Sequence, residues 1–158
     1  MRFAGIAFGF TALVATQAAA ATVENFPAQG ATVVSGKCSK LVVGKFDASK
    51  GCKAELASVT APDGSVTFIF TSGGKMLAFR GNGKGIKPGS QKGTAQLPIE
   101  VIATGAGNNI SNQVPAKGAC TFANPYAGKP VAIECSAKST EMSFNGSFTS
   151  DGKTPRHK

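Results

Sequence analysis

The chain has 158 residues, of which 42% are apolar and 16% are charged, and 17 lysines and arginines stand against 8 aspartates and glutamates. This length suits a single domain. The net charge of +9 favours anionic partners, while a single histidine excludes sites that need several histidines.

Residues 1–20 have the pattern of a secretory signal peptide. Arg2 supplies the positive start, an apolar stretch follows it, and small residues up to Ala20 suit cleavage by signal peptidase. The apolar stretch is shorter than the roughly 20 residues that a membrane-spanning helix needs, and no later stretch is long and apolar enough. We therefore expect a secreted or periplasmic protein, with no transmembrane segment in the mature chain and one domain over residues 21–150.

The cysteines follow the signal and are even in number, as expected for disulfides in an oxidising compartment. They are Cys38, Cys52, Cys120 and Cys135. Their spacing favours two local bridges, the first cysteine with the second and the third with the fourth. A symmetrical hairpin at the first bridge would set Lys40 against Lys50, so crossed pairings stay open there. No two cysteines have the short spacing of a zinc site, and we expect no metal.

The segment ASVTAPDGSVTFIFTS predicts a β-hairpin, because Pro62, Asp63 and Gly64 are typical residues of a tight turn. If Ala61 pairs with Ser65, alternate residues of the two strands form one apolar face. The residues of this face are Leu56, Val66, Phe68 and Phe70. KMLAFRG, QLPIEVIAT and EMSFNGSFTS are further strand candidates.

The sequence GNGKGIKPGSQKG, residues 81–93, joins two of these candidates. It lacks the spacing of a nucleotide-binding loop, and no helix follows it. Its glycines allow a backbone nest for an anion, and no acid occurs from Gly64 to Ile99. These features predict a basic binding face, although an ordinary soluble connection is the alternative. The face would consist of Lys75, Arg80, Lys84, Lys87 and Lys92.

CTFANPYAGKPVAIEC predicts a second hairpin, in which Phe122 opposes Ile133 and Cys120 opposes Cys135. With many turns and no sustained helical period, the chain is predicted to be all-β. The expected fold is a single antiparallel β-sandwich or barrel of about 7–9 strands with two disulfides. The last residues, 151–158, are polar and basic, and we expect a disordered tail.

The segment GACTFANPYAGKPVAIECSA and the later FTSDGKTP combine a G-x-C strand, a turn between prolines, an I-x-C-x-A strand and a phenylalanine strand ending in DG. This pattern is similar to that of small exported bacterial proteins of unassigned function. The resemblance implies export and a disulfide-bonded β domain, and it brings no catalytic motif.

Catalytic residues are hard to assign in this sequence. His157 is close to the chain end, which argues against a nucleophile activated by histidine. A small carboxylate hydrolase remains an alternative, with Glu100 and Glu134 as its test residues, although both are expected to point outward from strands. We predict no catalytic residue and no cofactor.

The leading hypothesis is a non-enzymatic exported β domain that contacts an anionic polymer or envelope surface through the basic Gly/Lys loop. The alternative is a protein-binding module, such as an inhibitor of a secreted hydrolase, that recognises a secreted protein. The loop of residues 81–93 has no aromatic residue between its lysines, which argues against specific nucleic-acid binding.

Overall fold

The computed structural model describes residues 30–107 and 109–158, so the predicted signal peptide lies outside the described residues. Within these ranges no helix is long and apolar enough to cross a membrane. The described strands belong to one antiparallel sheet. They are β1 (Gly30–Val43), β2 (Phe46–Asp47), β3 (Glu55–Thr60), β4 (Ser65–Ser72), β5 (Lys75–Asn82), β6 (Lys87–Pro88), β7 (Thr94–Ala106), β8 (Asn109–Ala123), β9 (Ala132–Lys138), β10 (Ser143–Ser150) and β11 (Arg156–His157).

The sheet closes into an eight-stranded barrel. Its strands follow the order β1-β3-β4-β5-β7-β8-β9-β10, and β10 returns to pair with β1. Strand β1 makes this closure possible because it is long: its first half pairs with β3, and its second half, from Gly36 onward, pairs with β10. The all-β prediction is confirmed, and of its two forms the structure has the barrel. Closure removes the exposed edges of the sheet.

The antiparallel order places the connections at two opposite ends of the barrel. The connections after β1, β4, β7 and β9 lie at one end, which we call the mouth end. The connections after β3, β5 and β8, together with residues 151–158, lie at the other end, which we call the cationic end. This division decides which side chains can act together.

The middle of the barrel is filled by aromatic rings. Phe68 on β4 contacts Phe122 on β8, with ring centroids 5.2 Å apart, and Phe70 meets Phe79 edge-on at 5.7 Å. Gly146 on β10 makes room for this packing, since a Cβ there would lie 2.7 Å from the Phe70 ring. Each buried phenylalanine contributes about 1.5–3 kcal/mol of transfer free energy, so this layer is the main core.

Both predicted disulfides are present. Cys120 and Cys135 oppose each other on β8 and β9, next to the pair Phe122–Ile133, as the second hairpin predicted. The first hairpin is also confirmed, because the Ala61 amide donates to the Ser65 carbonyl and its four apolar residues are buried.

The bridge Cys38–Cys52 ties the connection after β1, residues 44–54, to the barrel wall. The end of β1 and the short strand β2 form a tight hairpin, in which Val42 pairs with Asp47. Lys40 and Lys50 therefore do not form the cross-strand pair that made a symmetrical hairpin unfavourable.

The prediction of a disordered tail is wrong for the end of the chain. Arg156 and His157 form β11, which pairs with Val33 and Thr32 of β1. Arg156 makes an ion pair with Glu55, and the His157 ring stacks on Tyr126 with centroids 6.1 Å apart. The composition of the tail did not show these partners, because all of them are distant in sequence.

Candidate functional site

The five predicted basic residues do not form one cluster. Lys75 begins β5 at the mouth end, whereas Arg80 lies near the other end of the same strand. Lys84, Lys87 and Lys92 belong to the connection between β5 and β7, at the cationic end. A strand rises about 3.3 Å per residue, so Lys75 is separated from the loop lysines by roughly 20 Å or more. Lys75 therefore belongs to a different surface.

Arg80 is not a free cation. Its guanidinium Nη2 lies 3.0 Å from Oδ2 of Asp63, while the other carboxylate oxygen accepts a hydrogen bond from the Ser65 amide at 2.8 Å. The bonds from Ser65, followed by the nearby Arg80, lower the pKa of Asp63 below its usual 3.8. Asp63 directly precedes the acid-free stretch in sequence, so its pairing with Arg80 on the neighbouring strand could have been suspected.

Residues 83–93, which we call the cationic connection, are held by backbone contacts. The Gly83 amide donates to the Gly64 carbonyl at 2.9 Å, and the Lys84 amide donates to Oδ1 of Asn82 at 3.0 Å. Lys87 then pairs with Gln96 on β7, and Ile86 packs against the core. The segment is thus a short 3-10 turn followed by a small hairpin.

These contacts also change the expected mode of anion binding. The amides of Gly83, Lys84 and Ile86 all donate to acceptors within the protein, so the backbone nest is not formed by them. The side chains of Lys84, Lys87 and Lys92 are exposed, and none of them makes an ion pair with the described residues. What the connection offers an anion is therefore its lysine ammonium groups.

The neighbouring connection after β8 adds a further exposed cation at this end, Lys129. The acids nearby are engaged: Asp63 pairs with Arg80, and Asp151 pairs with Lys153 at 3.1 Å. The local field of the cationic end is therefore positive.

The mouth end contains a cavity with a volume of about 690 Å³. Leu41 of β1 and Leu77 of β5 contribute apolar surface to it, and Thr104 of β7 lines it as the direct cross-strand partner of Leu77. A second cavity of about 270 Å³ lies on the other side of Val43 and Thr104, which line both spaces. No sequence motif indicates this site, because its lining comes from several separate strands and connections.

Three large apolar side chains of the described residues are exposed, and all three lie at the mouth end. They are Phe46 at 66%, Ile110 at 55% and Met142 at 41% exposure. Lys50, Lys75 and Asp47 are the charged residues that line the larger cavity. Oδ1 of Asp47 accepts a hydrogen bond from the Ser49 amide, and the bonds from Ser49 lower the pKa of Asp47.

The two glutamates of the hydrolase alternative are not brought together. Glu100 lies at an irregularity of β7, and Glu134 lies on β9 with β8 between them. Register places Glu134 level with Gln96, four residues from Glu100 and two strands away, so the Cα atoms of the two glutamates are separated by roughly 15 Å. A glycosidase pair needs its carboxylates about 5–10 Å apart. Within residues 30–107 and 109–158 no group of three or more His, Cys, Asp or Glu side chains is placed to hold a metal ion.

Comparison with known proteins found no family model, no curated protein and no solved structure that matches this chain.

Proposed function

We propose that this protein is a non-enzymatic, exported β-barrel domain whose cationic end contacts a polyanionic partner, such as an acidic envelope polymer. The observation that carries the proposal is the set of exposed lysines on the cationic connection. Lys84, Lys87 and Lys92 are unpaired among the described residues, while the nearby acids are engaged by other cations. Such a surface attracts polyanions through their phosphate, sulfate or carboxylate groups.

The contacts that hold the connection support this proposal further. Because the backbone is fixed by Gly64, Asn82 and the pairing with β7, little backbone entropy is lost when a partner binds. Export is supported by the signal-like residues 1–20 and by two disulfides that form between all four cysteines. Sequencing of the N-terminus of the protein recovered outside the cytoplasm tests export, and a start at Ala21 is expected.

Heparin, as a model polyanion, tests the contact. The wild-type protein is expected to be retained on a heparin column at low salt and released as salt rises, because bound counterions are displaced. The variant K84Q/K87Q/K92Q should elute at clearly lower salt. Its plot of log affinity against log salt should be shallower, by about one unit for each lost contact.

The matched control is K53Q/K117Q/K138Q, which removes the same number of exposed lysines away from the cationic end. It should elute close to the wild type. An equal decrease in the elution salt concentration of the two variants would show that only net charge matters and would overturn the proposal. So would the absence of retention at low salt. Stoichiometric capture of one secreted protein, without heparin retention, would replace the proposal by the protein-binding alternative.

A further inference from the structure

We propose that the mouth end is a second binding site, which takes the apolar chain of a small amphipathic molecule with an anionic head group. The site is independent of the cationic end, since the filled aromatic layer of the barrel lies between the two. The proposal rests on the shape, the lining and the charges of the mouth.

The shape fits a small ligand. A volume of about 690 Å³ falls in the range of small-molecule sites, roughly 300–1,000 Å³, and the mouths of β-barrels are frequent positions for such sites. An eight-stranded barrel is wide enough to hold one small ligand when side chains do not fill it. Here Phe70 fills the middle through the space left by Gly146, and the cavity lies at the mouth.

The lining favours an apolar chain. Leu41, Val43, Ala48 and Leu77 contribute apolar surface to the cavity, and the exposed Phe46 ring stands beside it. Burial of apolar ligand surface against these side chains favours binding, because it removes apolar surface from water. The same burial would cover part of the exposed apolar surface of the mouth.

The charges favour an anionic head group. Lys50 and Lys75 line the cavity, and neither makes an ion pair with the described residues. Asp47 is the one acid in the lining, and its carboxylate is already bonded to the Ser49 amide. A carboxylate, sulfate or phosphate at the rim can therefore bind two lysines while its chain enters the cavity.

The disulfide Cys38–Cys52 stabilises the geometry of this site. The connection that it ties down supplies Phe46, Ala48 and Lys50 to the cavity. The Ser72 hydroxyl also donates a hydrogen bond to the Ala48 carbonyl at 2.8 Å, which joins the connection to β4. The wall of the mouth is thus fixed before a ligand arrives, which lowers the cost of binding.

The experiment uses tryptophan as a local reporter, since the chain has none. F46W places the reporter at the mouth, and A127W, in the exposed turn after β8, places the same reporter at the cationic end. Monomeric laurate is titrated below its micellar concentration. F46W emission should shift to the blue with a saturable one-to-one curve, while A127W emission should stay constant.

The head group is tested with dodecanol and dodecyltrimethylammonium, which carry the same chain. The variant F46W/K50Q/K75Q should bind laurate about three- to tenfold more weakly than F46W and should bind dodecanol equally well. The matched control F46W/K84Q/K87Q should bind laurate like F46W. Equal affinity for the cationic amphiphile would overturn the anionic preference.

No saturable change in F46W, or the same change in A127W, would overturn the site itself. A blue shift with vesicles of anionic phospholipid but not with monomeric laurate would also overturn it, because the exposed apolar residues would then insert into a bilayer surface. The heparin experiment does not depend on these outcomes, so the two proposals can fail separately.

Discussion

The two ends of the barrel present different chemistry on one scaffold. The cationic end is closed by backbone-bonded connections, and its exposed groups are lysines such as Lys84 and Lys87. The mouth end is open, and its exposed groups include Phe46 and Met142. The difference arises mainly from the connections, because the inward faces of the strands are mostly apolar, with Thr32, Ser58 and Ser150 as buried polar side chains. A closed barrel can therefore carry two independent surfaces, provided that its middle layer separates them.

The largest expected effect comes from breaking that middle layer. Phe68 is fully buried against Phe122, so F68A leaves a cavity between β4 and β8 and should lower the free energy of unfolding by about 3–5 kcal/mol. F46A removes the same side chain at the mouth rim, where it is 66% exposed, and should change stability by less than about 0.5 kcal/mol.

Urea unfolding followed by circular dichroism measures both variants. F68A should weaken heparin retention and laurate binding together under conditions where it is partly unfolded, whereas F46A should affect laurate binding alone. Titration calorimetry measures laurate binding in both variants, because F46A lacks the tryptophan reporter. If the two substitutions destabilise the protein equally, the middle layer is not the element that supports both ends.

The second largest expected effect is the loss of stability when either of the two disulfides is removed. They close loops of similar length, with sequence separations of 14 and 15, so each should stabilise the protein by about 3 kcal/mol on the chain-entropy model. Their positions differ. Cys120 and Cys135 are buried between β8 and β9, whereas the bridge from Cys38 holds the connection that lines the mouth.

C38A/C52A should therefore lose laurate binding and keep heparin retention in conditions where it remains folded. C120A/C135A should lose at least as much stability, because it also leaves space in the core, but it should keep the ratio of the two binding activities. Stability is read from urea midpoints, and binding from the two assays above. Unchanged laurate binding in C38A/C52A would show that the bridge does not shape the mouth.

The sequence predicted local pairings well. Turn residues fixed the hairpin at Pro62–Gly64, and alternation gave the register that sets Cys120 against Cys135. Closure of the barrel depends on β1 meeting β10, more than 100 residues away, and no local pattern encodes that choice. The sequence therefore left sandwich and barrel as alternatives.

Local sequence patterns also failed to predict which residues of the two candidate sites lie close together. Charge along the chain grouped Lys75 with Lys84, although an antiparallel strand carries them to opposite ends. The mouth is assembled from connections that are distant in sequence, so only a weak signal existed for it. That signal was a large apolar residue beside a turn, as with Phe46 after Gly44 and Met142 before β10.

The smallest expected effect concerns the acid sensitivity of the cationic end. Folding lowers the pKa of Asp63, first through the hydrogen bonds from Ser65 and then through Arg80. Because the folded pKa is lowered, the ionised carboxylate favours the folded state above about pH 3.8, and this contribution is lost as the pH falls through the folded pKa. D63N, which keeps a turn-forming side chain without the charge, should be less stable than the wild type at pH 6, and this difference should shrink toward pH 3.

Urea midpoints of both proteins at the two pH values measure this difference. R80Q serves as the control: it leaves the bonds from Ser65 in place and should therefore reduce the acid sensitivity only slightly. At the mouth end, hydrogen bonds from Ser49 lower the pKa of Asp47 in the same way. D47N should therefore show a similar loss of stability at pH 6 that shrinks toward pH 3. A stability difference for D63N that stays constant between pH 6 and pH 3 would mean that its charge does not stabilise the turn. The Asp63 side chain would then act only through its shape.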